Sequence, residues 1–140
     1  PEDMETILDS TPFDYVLDCI DSVTPKITLI KAARRRKIKI ISAMGAGGKI
    51  DPSKVMVRDI SKTKNCYLAK QVRKRLKKEH INKGFRCVFS TELQSEDSLK
   101  MTDGSNYKKS YYGTISYIPA LFGLYAAAEV ITYLIKKQDQ

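Results

Sequence analysis

Two acidic residues three positions apart, Asp18 and Asp21, follow a short apolar run near the amino end of the chain. Thr24 and Pro25 come next, and these residue types favour the N-cap and the first helical position. The pattern places both carboxylates at the carboxyl end of a strand, where open α/β sheets bind ligands. Carboxylates beside a helix start suit a magnesium-bound phosphate chain. The alternative is that Asp18 caps the turn and Asp21 faces water.

The hydrophobic pattern predicts the elements that would position these acids. Strands are expected at residues 13–20 and 38–44 with a helix at 25–37 between them, which makes a right-handed β-α-β unit with parallel strands. The remaining predictions are helices at residues 1–9, 65–79 and 117–137, strands at 55–60 and 85–90, and a mobile loop at 92–113. The 140 residues are therefore expected to form one α/β domain.

The chain carries 25 Lys and Arg residues against 16 Asp and Glu residues, which gives a net charge of +9. Much of the excess lies in two segments, residues 31–39 and 62–78. A basic surface of this size favours an anionic partner, and nucleic acid is the natural candidate. The alternative is a pair of solvated helix faces that only confer solubility.

Cysteine and histidine are too few for two kinds of metal centre. Three cysteines, Cys19, Cys66 and Cys87, cannot form a four-cysteine zinc site, and a single histidine excludes a multi-histidine centre. Because Cys19 and Cys87 fall within strand patterns, we expect both thiols to be buried.

Residues 115–135 form the most apolar stretch, and its length approaches that of a membrane span. Pro119 and Glu129 interrupt it, so the expectation is a buried helix that packs on the sheet. Peripheral membrane association, aided by Lys136 and Lys137, is the alternative.

Five motifs, in order along the chain, carry a resemblance to a known family. The first is Asp18-x-x-Asp21-Ser22-x-x-x-Lys26, which matches the element D-x-x-D-[NS]-x-x-x-[KR]. The others are residues 42–52, 57–63, 86–92 and 113–117. Together they resemble the ThiF/MoeB/HesA superfamily, the relatives of ubiquitin-activating enzymes, and most closely its branch of tRNA threonylcarbamoyladenosine dehydratases.

The resemblance implies the carboxyl-terminal half of a Rossmann-like nucleotide-binding fold, with a mixed sheet flanked by helices. The glycine-rich nucleotide loop of the family, G-x-G-x-x-G, is expected upstream of Pro1. The glycine cluster at residues 45–48 is not that loop, because a strand pattern rather than a helix follows it. The chain by itself is therefore expected to be inactive.

The resemblance also implies a site for ATP and Mg²⁺. Asp21 would be the catalytic acid that holds the metal and contacts the triphosphate, and Ser22 and Lys26 occupy the next positions of the motif. Gly45 and Gly47 would line the same pocket, where their small size permits close approach of the ligand.

The implied reaction is adenylation of a carboxylate, which lets the threonylcarbamoyl group on a tRNA adenosine close into a ring. Contact with tRNA is expected from Arg73, Lys74 and Lys77. A cytoplasmic homodimer is also expected, with peripheral association at the inner membrane as an alternative location.

Two other functions stay open. One is activation of a ubiquitin-like sulfur-carrier protein, as in molybdopterin and thiamine biosynthesis, with a carrier or a cysteine desulfurase as partner. The other is a non-enzymatic basic module that binds RNA.

Overall fold

A computed structural model of the chain describes residues 2–94, 99–101 and 110–139. A four-stranded mixed sheet lies at the centre, with the strand order β1-β2-β4-β3. The strands are β1 (Tyr15–Asp18), β2 (Lys39–Ala43), β3 (Val55–Asp59) and β4 (Arg86–Ser90). Both β1 and β4 run parallel to β2, whereas β3 runs antiparallel to β4. The predicted parallel β-α-β unit and mixed sheet are confirmed. Within the described residues, β1 is paired on one side only.

The described residues form four α-helices around the sheet, namely α1 (Glu2–Asp9), α2 (Val23–Arg35), α3 (Tyr67–Lys77) and α4 (Tyr117–Gln138). Helix α2 begins earlier than the sequence predicted. Ser22 takes the N-cap position with extended backbone angles, although its side chain makes no capping hydrogen bond. The prediction of Thr24 as the N-cap was therefore wrong, and Pro25 falls within the first turn, where its missing N–H is tolerated.

The helices form a layer on each face of the sheet, and each layer encloses a core. On one face α2 and α3 bury Ile30, Val72 and Leu76 against Phe89 of β4. On the other face Ile118, Phe122, Ala126 and Val130 of α4 pack on Ile41, Val57 and Val88 of the sheet. Four-residue spacing in α3 and α4 supplies these inward-facing side chains.

The second face of α4 is not covered in the described structure. Leu124 is 67% exposed, and Ile131 and Ile135 are each 55% exposed. The most apolar 18-residue stretch of this helix has a mean hydropathy of 1.7 and is 22% buried. By length and composition the helix could cross a membrane, and core helices of soluble proteins meet the same criterion. The expectation of a buried helix on the sheet thus holds for one face only.

Part of the segment expected to be a mobile loop, residues 92–113, contains regular structure. Two short strands, β5 (Leu99–Met101) and β6 (Ser110–Tyr112), pair antiparallel with Leu99 opposite Tyr112. Sequence periodicity contains no signal for a three-residue hairpin arm of this kind. Residues 95–98 and 102–109 lie outside the described residues.

Candidate functional site

A buried charge network lies where β1 and β2 end side by side. The last residue of β1, Asp18, stands opposite Ser42 in the parallel register. The Lys26 ammonium of α2 donates to Asp18 Oδ2 at 2.7 Å, to Ser42 Oγ at 3.1 Å and to the Ala43 carbonyl at 2.9 Å. Both side chains of the Asp18–Lys26 ion pair are fully buried. Because Lys26 has three N–H donors, these contacts use all of them.

The same carboxylate also fixes the turn that follows β1. Asp18 Oδ1 accepts a hydrogen bond from the Ile20 amide at 3.0 Å, and Oδ2 accepts one from Ser42 Oγ at 2.5 Å. Asp18 therefore caps the turn, which was the alternative role considered for it in the sequence analysis. It also accepts hydrogen bonds from Lys26 of α2 and Ser42 of β2. The network sets where the backbone of the next residues, including Asp21, can lie.

A cleft of about 360 Å³ opens beside this network at the carboxyl edge of β1 and β2. The turn after β1 forms one wall and helix α4 forms another. Lining residues include Cys19, Asp21, Gly45, Gly47, Thr114 and Phe122. This is the edge at which open α/β sheets bind their ligands.

The structure brings together three of the five residues expected at an ATP site. Asp21, Gly45 and Gly47 all line the cleft. Ser22 is exposed at the start of α2 and Lys26 is buried behind the turn, and neither lines the cleft. Lys26 therefore contacts Asp18 rather than the cleft. Cys19, which was expected to be buried, is exposed beside Asp21, whereas Cys87 is buried as expected.

Gly45 is not required by the packing of the chain itself. A Cβ atom placed on it would lie 3.6 Å from Leu68 Cβ and 3.9 Å from Cys66 Sγ, which are ordinary contact distances. A methyl group would therefore fit against the protein, and the packing of the described residues does not require glycine at this position of the cleft wall.

A second buried lysine holds the loop after β2, and no sequence pattern indicates its role. Lys49 is 1% exposed, and its ammonium donates to the Asn65 carbonyl at 2.8 Å and to the Glu92 carbonyl. Burial lowers the pKa of Lys49, against the opposing influence of nearby Cys66 and Glu92. The Glu92 carboxylate accepts from the amides of Ile50 and Asp51 at 3.0 and 2.9 Å. This loop is thereby tied to the end of β4 and to the start of α3.

The basic face of α3 meets the prediction of a cationic surface in part. Lys74 and Lys77 are exposed along a shallow depression. Arg73 lines the same depression, but its guanidinium donates to the Thr63 carbonyl at 2.9 Å and to the Thr63 hydroxyl. One of the three predicted nucleic-acid contacts is therefore also a structural contact.

The cleft offers few protein ligands for Mg²⁺. Among the described residues, no group of three or more His, Cys, Asp or Glu side chains could hold a metal ion. Mg²⁺ bound to a nucleotide commonly uses one or two carboxylates and takes its other ligands from phosphates and water. Asp21, the one carboxylate among the described residues that line the cleft, fits that requirement.

Comparison with known proteins gives the family. A model of the ThiF family matches residues 1–140. The chain belongs to the ThiF family. It is 37% identical over 130 residues to the tRNA threonylcarbamoyladenosine dehydratase of Bacillus subtilis, a match that covers 88% of this chain and 51% of that protein. The dehydratase of Escherichia coli is 37% identical over 145 residues, which covers 91% of this chain and 54% of the relative.

Solved structures agree with this assignment. The crystal structure of the E. coli dehydratase TcdA in complex with ATP superimposes with a TM-score of 0.81 at 34% identity, covering 98% of this chain and 54% of that one. The complex with AMP gives a TM-score of 0.80 at 35% identity, with 98% and 55% covered. The family and the Rossmann-like fold predicted from the five motifs are confirmed. The chain spans about half the length of the relatives it matches.

Proposed function

We propose that this chain forms part of an ATP-dependent tRNA threonylcarbamoyladenosine dehydratase. The observation that carries the proposal is the cleft at the carboxyl edge of the sheet, where Asp21, Gly45 and Gly47 meet. Support comes from the similarity to an E. coli dehydratase whose crystal structures hold ATP and AMP. All three residues were predicted from the sequence as site residues, and all three line this cleft.

The proposed reaction begins when the threonylcarbamoyl carboxylate attacks the α-phosphorus of ATP. Pyrophosphate leaves and an acyl adenylate forms. Ring closure then releases AMP, which keeps the carboxylate oxygen, so the tRNA product has lost the elements of water. A carboxylate alone is a poor acceptor for ring closure, and adenylation supplies the leaving group that it lacks.

The chain's own residues would bind and orient the nucleotide. Asp21 would hold Mg²⁺, which when bound spreads the negative charge of the reacting phosphates. Gly45 and Gly47 would let the phosphates approach the backbone closely. The buried Asp18–Lys26 pair fixes the turn that carries Asp21, so we assign Lys26 a positioning role. Ser22, exposed at the N-cap of α2, remains a proposed contact of the nucleotide.

We propose that tRNA also contacts the basic face of α3. Lys74 and Lys77 are exposed there, beside Lys70 and the partly buried Arg73. Lysines on long, flexible stems can follow a phosphate backbone without reading the bases. Because tRNA is the proposed substrate, we propose a cytoplasmic location for the enzyme.

ATP–pyrophosphate exchange by the full-length protein tests the function. Exchange that depends on tRNA carrying threonylcarbamoyladenosine supports the dehydratase. Exchange that depends instead on a ubiquitin-like carrier with a free C-terminal glycine would assign the sulfur-carrier activity, with a cysteine desulfurase as the expected partner. Salt-sensitive RNA binding without any exchange would assign the non-enzymatic module.

We propose further that the protein is a homodimer. The exposed side chains of α4, Leu124, Ile131 and Ile135, form an apolar face that a second copy can cover. Light scattering on the full-length protein should give the dimer mass at tens of micromolar. If the Leu124→Glu and Ile131→Glu variants are still dimers, the interface does not involve this face of α4. If the unaltered protein is a monomer, the proposal of a homodimer is wrong.

A further inference from the structure

The basic segment at residues 31–39 divides into neutralised and available charges. Lys31 pairs at 2.8 Å with Glu79, which lies in the turn after α3. Two arginines, Arg35 and Arg36, pair with the acids of α1, and the Arg36 contacts are 2.5 Å to Glu5 and 2.6 Å to Asp9. Hydrogen bonds from Arg36 are the largest influence lowering the pKa of Glu5 and of Asp9. Helix α1 thus neutralises one side of the segment.

Three cations of the segment have no ion pair among the described residues, and they share one pocket. Arg34, Lys37 and Lys39 line a pocket of about 420 Å³ together with Tyr15, Asp59 and Arg86. Tyr15, Lys39 and Arg86 are the first residues of β1, β2 and β4. The pocket therefore lies at the amino edge of the parallel strands, at the opposite end from the cleft that contains Asp21. We call it the amino-edge pocket.

One cation of the amino-edge pocket is held in place by the backbone. Arg34 Nη1 donates to the Gly84 carbonyl at 2.8 Å, and the Gly84 amide donates to Asp59 Oδ2 at 2.8 Å. Gly84 has a φ of +100°, and a Cβ there would lie 2.9 Å from Arg34 Nη1. The φ favours glycine, and a Cβ at this position would push the Arg34 guanidinium away from the Gly84 carbonyl, so the loop before β4 helps to hold this guanidinium in place.

The charge balance of the pocket is positive. Arg86 pairs with Glu129 at 2.8 Å. Partial burial raises the pKa of Asp59, but hydrogen bonds from Ser61 and from the amides of Gly84 and Phe85 outweigh it and lower that pKa, so the group is a carboxylate at neutral pH. Four cations therefore face two carboxylates. Lys39 also lies over the Tyr133 ring, 5.0 Å from its centroid.

We propose that the amino-edge pocket binds a phosphate of an RNA backbone. A seated guanidinium and two exposed lysines suit a phosphodiester, because arginine gives a fixed geometry while lysines adapt to the neighbouring phosphates. The pocket also adjoins the α3 depression, since Asp59 of the first is followed by Ile60 and Ser61 of the second. The proposal rests on the proposed function in that tRNA is the RNA, but binding is measured without turnover.

The test uses a fluorescein-labelled tRNA transcript and the full-length protein carrying Lys37→Gln and Lys39→Gln. Both side chains are exposed, so the fold should survive, which a thermal melt verifies. We expect the dissociation constant to rise roughly tenfold at about 50 mM salt, and the slope of log Kd against log salt to fall by about one for each phosphate that the variant no longer binds. The control, Lys54→Gln with Lys136→Gln, removes the same charge from two exposed lysines outside the pocket and should leave the slope unchanged.

Three outcomes would overturn the proposal. The first is an unchanged affinity and slope in the Lys37/Lys39 variant. The second is an equal loss in the control, which would mean that net charge alone matters. The third is loss of binding to phosphatidylglycerol vesicles with RNA binding intact, which would assign the pocket to a lipid surface. Failure of tRNA-dependent pyrophosphate exchange, by contrast, would contradict the proposed function. The RNA-binding proposal would still be tested by the affinities, because they are measured without turnover.

Discussion

At the carboxyl edge of the sheet the Asp18 and Lys26 charges are buried against each other, whereas at the amino edge the Lys37 and Lys39 charges are exposed. A buried pair costs desolvation and is kept only if its geometry satisfies every donor and acceptor. Exposed cations cost little and act through their field and through counterion release. Geometry should therefore govern function at the first edge, and charge at the second.

The two edges should respond differently to substitution. At the carboxyl edge we expect large losses of stability or activity that depend little on salt. At the amino edge we expect moderate losses of affinity that depend strongly on salt. Substitutions of single residues or residue pairs at each edge test this contrast.

The largest effect is expected from Lys26→Met, which leaves the Asp18 carboxylate buried without its cation. Breaking a buried pair in this way should lower the free energy of unfolding by about 3–5 kcal/mol, measured by urea denaturation. Lys31→Met on the same helix is the matched control. Its pair with Glu79 is partly exposed, so losing it should lower the free energy of unfolding far less. Equal losses in the two variants would show that burial does not distinguish these lysines.

The next effect concerns Asp21 at the cleft. Asp21→Asn should keep the fold and lower ATP–pyrophosphate exchange by roughly a hundredfold, because a neutral amide does not hold Mg²⁺ as a carboxylate does. Asp14→Asn is the control, since this exposed carboxylate lies just before β1 at the amino edge and pairs with Lys137. If the exchange rate falls less than about tenfold, which is on the order of 1.4 kcal/mol of activation free energy, Asp21 does not contact the nucleotide or its metal.

The α3 face should show the charge-dependent behaviour of the amino edge. In Lys74→Gln with Lys77→Gln, tRNA affinity should fall several-fold at low salt, and the salt slope should fall by about one for each phosphate contact removed. Arg73 is left in place because it holds Thr63. The measurement is fluorescence anisotropy at several salt concentrations, with the Lys54/Lys136 variant as control. If the slope of log Kd against log salt does not change, this face of α3 is a solvated surface that does not bind tRNA.

Local sequence signals predicted the β-α-β unit and the position of the cleft, because apolar periodicity and strand ends are local properties. They did not predict the burial of Lys26, which depends on Ser42 and Ala43, 16 and 17 residues away. The ordered motifs indicated the family, but they did not predict that Lys49 is buried. Its hydrogen-bond partners, the carbonyls of Asn65 and Glu92, are 16 and 43 residues away along the chain.

Long-range contacts also decide which basic residues are available. Arg35 and Arg36 are neutralised by Glu5 and Asp9 at the start of the chain. Basic residues of the same segment therefore differ in whether they are free to bind an anion, because some of them form ion pairs with acids that are distant in the sequence.

The last prediction concerns Cys87, which lies in β4 between the two edges. Burial raises the pKa of this thiol far above its ordinary value of 9.0; Lys26 of the carboxyl edge opposes the shift and Asp59 of the amino edge adds to it. The folded state thus keeps a proton that the unfolded chain loses above about pH 9, so stability falls as pH rises through that range. Between about pH 8 and pH 10 the loss from this group should be roughly 1.4 kcal/mol.

A Cys87→Ala variant should lack that alkaline loss, whatever its stability at neutral pH, and urea denaturation across the pH range measures it. Burial lowers the pKa of Lys49, which acts in the opposite direction because the unfolded chain then binds more protons. The difference between variants, rather than either profile alone, therefore isolates the thiol. Cys19→Ala, at an exposed cysteine beside the cleft, should follow the unaltered protein. If Cys87→Ala keeps the full alkaline loss, the centre of the sheet admits water, and the two edges are not electrostatically separated by a dry core.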